Sequence, residues 1–70
     1  MNQEELGCRI AERRHILGVD QRTVAELSGV SVHTLSNIES GKGNPSLQIL
    51  CKMADALGLE LRIDVKKQPE

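Results

Sequence analysis

Apolar positions recur at the three- and four-residue spacing of helices over most of this chain, and Gly, Asp and Ser punctuate them at intervals. The first such run predicts a helix over residues 4–17, with Leu6, Ile10 and Leu17 near one face. Acidic residues at its start suit the positive end of the helix dipole, and Gly18 is a typical stop. The pattern predicts helices joined by tight turns.

Two short helices follow, and each opens on a residue suited to capping. Asp20 is a typical N-cap for a helix that Gly29 ends after about two turns, and Ser31 is a typical N-cap for the next one. Leu35 and Ile38 give this third helix an apolar face before glycines and a proline break the regularity. Because helices this short are unstable alone, we expect them to pack against their neighbours.

A fourth helix is predicted to begin near Pro45 or Ser46 and to end at Gly58. Beyond it the apolar period changes to two, which is the pattern of a half-buried strand. The apolar positions of this strand are Leu59, Leu61, Ile63 and Val65. A lone strand has no hydrogen-bonding partner in its own chain, so we expect it to pair with the strand of a second copy.

The charges along this strand favour one register for such a pair. In an antiparallel two-fold pair, opposed residues have numbers of constant sum. Centring on Arg62 opposes that residue to its own copy and Glu60 to Asp64, which are two like-charge contacts. Centring on Ile63 instead opposes Arg62 to Asp64, and it also brings Glu60 opposite Lys66. We therefore expect Ile63 on the two-fold axis and the apolar side chains over the core as a shared lid.

Composition narrows the class of protein. At 70 residues a single small domain is only marginally stable, so a partner subunit would stabilise it. The absence of Phe, Tyr and Trp excludes aromatic platforms for single-stranded bases and aromatic cages for quaternary amines. No apolar run approaches the ~20 residues that span a bilayer, and the N-terminus lacks the pattern of a signal peptide. We therefore expect a cytoplasmic protein without membrane contact.

Cysteine content and charge each bear on the candidate chemistry. Cys8 and Cys51 lie far apart without a CxxC motif and the chain has two His, which predicts neither a zinc site nor a disulfide framework. Each cysteine is interpreted as a small apolar residue.

Nine basic and ten acidic residues give a net charge of −1. A nucleic-acid surface would therefore have to arise by sorting charges onto different faces.

The segment from Gln21 to Ser40 carries the most specific signal. Its two short helices meet at a turn where Gly29 can adopt the left-handed conformation that redirects the backbone. Ala25 is small enough for the two helices to cross closely. Apolar residues at Val30, Leu35 and Ile38 follow at spacings that would bury the second helix. A small residue, a glycine and three apolar residues at these spacings are typical of a helix-turn-helix.

At these positions the sequence resembles the Cro/phage-repressor type of helix-turn-helix regulators, the Xre family. The resemblance covers residues 6–58 and is carried by Gln21, Val24-Ala25, Gly29-Val30-Ser31, Thr34-Leu35-Ser36, Ile38-Glu39, Gly41-Lys42, Pro45-Ser46-Leu47 and Ala56-Leu57-Gly58. It implies an all-α domain of four to five helices that docks its third helix into the major groove of double-stranded DNA as a homodimer, without a cofactor. It also implies a partly buried ion pair between Arg14 and Glu39.

The outward face of the third helix is uncharged and rich in hydrogen-bonding groups. Asn37 can pair with an adenine edge, His33 can donate to guanine, and Val32 can contact a thymine methyl, each good pair discriminating by about 1–3 kcal/mol. These three residues are the predicted base readers. Phosphate contacts are expected around the start of the second helix and both sides of the third. The predicted phosphate-binding residues are Gln21, Arg22, Thr34, Ser36, Lys42 and Arg13.

The sequence thus predicts a dimeric, sequence-specific repressor that reads a pseudo-palindromic operator. We expect a DNA-binding domain over residues 1–58, a dimerisation strand over 59–67 and a disordered tail over 68–70. The segment from Leu57 to Ile63 is similar to HipB-like antitoxins, which implies the alternative of an antitoxin that mainly binds a kinase-like toxin protein. An enzyme is disfavoured, because no nucleophile, base and orienting acid form a recognisable cluster.

Overall fold

The computed structural model describes residues 1–66, and in this part of the chain it contains four helices. They are α1 (Gln3–Leu17), α2 (Gln21–Ser28), α3 (Val32–Glu39) and α4 (Leu47–Ala56). The prediction of an all-α fold is confirmed. The described residues contain no fifth helix. No helix among residues 1–66 is long and apolar enough to span a membrane.

Each helix begins where a side-chain oxygen satisfies a free backbone N–H of its first turn. The caps of α2 and α3 are Asp20 and Ser31, as the sequence predicts; their side chains accept hydrogen bonds of 2.8 and 3.1 Å from the backbone three residues on. Ser46 caps α4 in the same way at 3.1 Å, and Asn2 caps α1 at 2.8 Å. Local chemistry therefore sets the start of every helix.

The core lies where the four helices meet. α1 packs against α3, and α2 packs against both α3 and α4. The buried apolar residues are Ile10, Val24, Ala25, Val30, Leu35, Ile38, Met53, Ala54 and Leu57. Leu17 is exposed although the sequence predicts it on the apolar face of the first helix, and Leu27 and Leu47 are exposed as well. Leu27 is exposed because α2 buries a different face, which carries Val24, Ala25 and Ser28.

Both cysteines are exposed and free, although the sequence analysis interprets each as a small apolar residue. Cys8 follows Gly7, which is buried against α3, and so faces away from that contact. Cys51 lies in α4 before the buried pair Met53 and Ala54 and outside their face. A side chain one or two positions away from a buried residue can fall on the exposed face of its helix.

A glycine in the second turn of α1 permits a close approach of two helices. Gly7 is buried, and a β-carbon there would overlap the backbone carbonyl oxygen of Ile38. The carbonyl oxygen of Glu39 would lie 2.9 Å from the same carbon. Any side chain at this position would push α1 away from the C-terminal end of α3. The sequence pattern gives no signal for this role of Gly7.

Residues 59–66 form no secondary structure in the described chain, so the predicted strand is not formed within a single copy. Leu59 is half-buried and packs against the core. Leu61, Ile63 and Val65 are exposed, and therefore do not cover the core of their own chain as the predicted lid would require. The physical reason is that a strand needs a neighbour to satisfy its backbone hydrogen bonds. Residues 67–70, and the tail predicted for 68–70, lie outside the described residues.

Candidate DNA-binding surface

The turn between α2 and α3 sets the angle at which the third helix leaves the domain. Gly29 adopts the left-handed conformation, with φ of 73°, and its N–H donates to the carbonyl of Ala25 at 2.9 Å. Ser28 is buried; its hydroxyl donates to the Ala25 carbonyl at 3.4 Å and accepts from the Val30 N–H at 3.2 Å. Sequence reasoning identified Gly29 but missed Ser28, whose hydroxyl fixes the same turn.

α3 has a fully buried side and an open side. Leu35 and Ile38 are packed into the core, and Val30, just before the helix, is buried with them. On the other side Val32, His33 and Ser36 are exposed, and Asn37 is half-buried. The inner face of α3 is therefore packed into the core, and its outer face is available to a ligand.

His33 and Asn37 lie one helical turn apart on this outer face and contact each other. The Asn37 Nδ2 atom lies 3.3 Å from the His33 Nε2 atom. The backbone carbonyl of Asn37 accepts hydrogen bonds from the Lys42 N–H at 2.8 Å and from the Ser40 hydroxyl at 3.0 Å. Two of the three predicted base readers thus point to one place, and the end of the helix is tied to the loop that follows.

A charged network behind α3 connects three helices. Arg14 of α1 donates to both carboxylate oxygens of Glu39, from Nε at 2.7 Å and from Nη2 at 2.8 Å. Its Nη1 donates to the Val19 carbonyl at 3.0 Å. Gln21, the first residue of α2, donates to Glu39 from Nε2 at 3.3 Å. The Arg14 and Glu39 side chains are only 11% and 9% exposed, so this network holds α1, α2 and the end of α3 together.

The network also fixes the charge state of its members. Burial works to raise the pKa of Glu39, but hydrogen bonds from Arg14 and Gln21 and the charge of Arg14 outweigh it and lower that pKa below its ordinary value. The hydrogen bond to Glu39 raises the pKa of Arg14 despite its burial. At the cap of α2, hydrogen bonds from Thr23 lower the pKa of Asp20. All three side chains are therefore charged at neutral pH.

Five of the six predicted phosphate-binding residues lie on α2, on α3 or in the loop that follows α3. Arg22 and Ser36 are exposed on the two helices, and Lys42 is exposed in the loop. The hydroxyl of Thr34 accepts a hydrogen bond of 2.9 Å from Ser31 at the start of α3. Gln21 is half-buried, since its amide nitrogen binds Glu39. The amide of Gln21 thus belongs to the network behind α3, whereas Arg22, Ser36 and Lys42 are exposed to solvent.

Arg13 is placed differently from the prediction. Its Nε donates to the backbone carbonyl of Leu57 at 2.9 Å, beside the C-terminal end of α4, where a cation is favoured by the helix dipole. It lines a groove with Leu59 and Leu61 rather than the surface around α3. We therefore remove Arg13 from the phosphate-binding set. The sequence offered no signal for this contact, which joins residues 44 positions apart.

Two short helices are joined by a glycine turn, and the second helix is buried on one side and polar and uncharged on the other. This arrangement defines the class of helix-turn-helix DNA-binding domains. The chain belongs to the helix-turn-helix family, whose profile matches residues 10–63.

Relatives of this chain include named regulators. It is 40% identical over 55 residues to the HTH-type transcriptional regulator PuuR of Escherichia coli (strain K12), a match covering 79% of this chain and 30% of PuuR. It is 38% identical over 56 residues to the cryptic phage CTXphi transcriptional repressor RstR of Vibrio cholerae, covering 80% of this chain and 48% of RstR. The chain thus spans from about a third to half of the length of these relatives.

Solved structures show the same fold. The restriction-modification controller protein C.AhdI from Aeromonas hydrophila superposes with a TM-score of 0.79 at 36% identity, covering 83% of this chain and 88% of that one. The clp gene regulator ClgR from C. glutamicum gives 0.77 at 36% identity, covering 83% of this chain and 75% of that one.

Proposed function

We propose that this chain is the DNA-binding part of a sequence-specific transcriptional repressor, and that it reads operator DNA through the outer face of α3. One observation carries the proposal: α3 is locked into the core by Leu35 and Ile38 while His33 and Asn37 stand together on its open side. The names of its relatives, which are regulators and a repressor, support this function over that of an antitoxin. No toxin partner is proposed.

Base contacts are assigned to the side chains that face outward from α3. Asn37 offers an adenine edge both a donor and an acceptor, His33 offers a donor for guanine, and Val32 offers a methyl contact for thymine. Backbone contacts set the register of the protein on DNA without reading sequence. The phosphate-binding residues proposed are Gln21, Arg22, Thr34, Ser36 and Lys42.

The proposed active form is a homodimer joined through the tail, which keeps the division into a DNA-binding domain over residues 1–58 and a dimerisation segment over 59–67. Leu61, Ile63 and Val65 are apolar and exposed in the single chain, so a partner strand would remove them from water. The Arg62 Nε and Asp64 Oδ2 atoms lie 4.0 Å apart, on one side of the segment. In the register centred on Ile63, each charge meets its opposite on the partner. Such a dimer would place its reading helices about 34 Å apart.

The test is fluorescence anisotropy with the full chain, comparing a duplex enriched from a randomised pool with a scrambled duplex over a series of salt concentrations. We expect the enriched duplex to bind more tightly, with affinity falling by about 0.9 log units per log unit of salt for each phosphate neutralised. Asn37→Ala should abolish the preference, while the control Asn44→Ala, an exposed asparagine in the loop after α3, should retain it. Equal affinity for both duplexes, or a flat response to salt, would refute the proposal.

A further inference from the structure

The contact between His33 and Asn37 joins two side chains one helical turn apart. An amide nitrogen only donates hydrogen bonds, so in this arrangement the Nε2 atom of His33 accepts from the Nδ2 atom of Asn37, 3.3 Å away. This direction requires the ring tautomer with its proton on Nδ1, which nitrogen-15 NMR can test. The two side chains form one hydrogen-bonded unit on the open side of α3.

This unit leaves the recognition groups of Asn37 free. The amide nitrogen has two hydrogens, and one suffices for His33. The other hydrogen and the Oδ1 atom form the donor and acceptor pair that complements N7 and the N6 amino group of adenine. Without a partner, the amide rotates broadly about its last bond and presents oxygen and nitrogen in either order. With the imidazole proton on Nδ1, the bond to His33 selects one order.

The rest of Asn37 is already held in place. Its backbone carbonyl accepts from both Lys42 and Ser40, and the helix itself is fixed by Leu35 and Ile38. The orientation of the side-chain amide is the remaining freedom, and within residues 1–66 the structure gives that amide His33 as its hydrogen-bonding partner.

We infer that His33 is a positioning residue, which orients the Asn37 amide so that it selects adenine. The inference rests on the proposed function, because it concerns how the same surface chooses a base. If His33 and Asn37 read bases independently, removing the acceptor at residue 33 leaves the base pair that Asn37 reads unchanged. If His33 positions Asn37, the same removal changes the base preference at that pair.

The experiment is selection of duplexes from a randomised pool by the full chain and four variants. His33→Leu removes the acceptor and keeps bulk, whereas His33→Gln restores a carbonyl oxygen that can reach residue 37 one turn along the helix. Asn37→Ala identifies the base pair that Asn37 reads, and the double variant His33→Leu/Asn37→Ala measures coupling between the two positions. Circular dichroism confirms that each variant is folded; both residues lie outside the core.

We expect Asn37→Ala to reduce an adenine preference at one base pair by about tenfold. His33→Leu should reduce the preference at that same pair to a similar degree, His33→Gln should restore it, and at that pair the double variant should match Asn37→Ala. The inference is overturned if His33→Leu leaves that pair unchanged or affects a different pair alone.

A measurement on the protein without DNA separates this inference from the proposed function. Nitrogen-15 NMR of the imidazole should show Nδ1 protonated and Nε2 free of hydrogen, and a ring protonated on Nε2 would overturn the positioning role. If the wild-type chain enriches no sequence, the proposed function fails and the role of His33 fails with it. If it enriches one but the two positions act independently, only the present inference fails.

Discussion

At the scale of single residues, the pair of Arg14 and Glu39 shows how a charge behaves when little water reaches it. Both side chains are about nine-tenths covered, and the guanidinium meets the carboxylate through two hydrogen bonds. Removing one member leaves the other as an uncompensated charge, which costs more than the intact pair contributes. The pair therefore acts chiefly as a geometric tie between α1 and the end of α3.

Glu39→Gln keeps the shape of the side chain and removes its charge. We expect the free energy of unfolding to fall by about 3 kcal/mol, because Arg14 is left charged and nearly buried. Urea denaturation measures this, with Glu26→Gln, at an exposed carboxylate on α2, as the matched control. A loss as small as that of the control would show that the pair is solvated.

The same pair makes stability depend on pH in a defined window. Because the pKa of Glu39 is lower in the folded protein than its ordinary value of 4.5, the unfolded chain binds that proton more tightly. The contribution is complete above about pH 5.5 and is lost as the pH falls through the folded-state pKa. Asp20, whose pKa is also lowered, adds to the same trend.

Thermal melting between pH 3 and pH 7 tests this window. The melting temperature of the wild type should fall steeply below about pH 4.5, and that of Glu39→Gln should fall less steeply because one of the two carboxylates no longer titrates. Curves of equal slope for the two proteins would contradict the assignment of the lowered pKa to Glu39.

At the scale of elements, the position of α3 depends on how closely α1 approaches it. Gly7 allows the backbone of α1 to lie directly against the Ile38 carbonyl, and the Arg14 pair ties α1 to the next residue of α3. Contacts on the inner side of α3 therefore determine how its open face is oriented. Few of these contacts involve the residues that would touch DNA.

Gly7→Ala tests that close approach, because the sign of the change in the free energy of unfolding depends on it. In an unobstructed helix this change stabilises by about 1 kcal/mol, because alanine is the better helix former. Here the added methyl group would meet backbone that cannot move aside, so we expect a loss of about 2 kcal/mol in the free energy of unfolding. Cys8→Ala, on the exposed side of α1, is the control. A stabilised Gly7→Ala protein would show that α1 and α3 are farther apart.

At the scale of the whole molecule, the tail is the segment through which we propose that two copies pair. The domain buries a small core, and its tail leaves Leu61, Ile63 and Val65 in water. A second copy would bury these side chains and supply the missing strand hydrogen bonds. Two reading helices would then act on one operator, and the dimer would gain affinity from the second site.

Cross-linking tests the register of the proposed dimer. In a background of Cys8→Ser and Cys51→Ser, Ile63→Cys should form a disulfide between copies, because a residue on the two-fold axis faces itself within disulfide reach. Leu61→Cys is the matched control: it faces Val65, so it should cross-link only when mixed with Val65→Cys. Equal self-cross-linking by Leu61→Cys, or none by Ile63→Cys, would contradict this register; non-reducing electrophoresis distinguishes the outcomes.

The sequence by itself determined the four helices and the starts of α2 and α3, because capping and apolar spacing act between residues a few positions apart. Asp20 and Ser31 cap α2 and α3 as their chemistry predicts, and Leu35 and Ile38 are buried as their spacing predicts. The resemblance of the helix-turn-helix segment also identified the family before any geometry was known.

Only the tertiary structure decided which residues from distant segments meet. It placed Arg13 on the carbonyl of Leu57, tied Gln21 to Glu39, and left both cysteines in water. It also showed that Gly7 sets the distance between α1 and α3. These contacts depend on helix crossing positions and on the facing of single side chains, and a shift of one residue on a helix turns a side chain by about 100°.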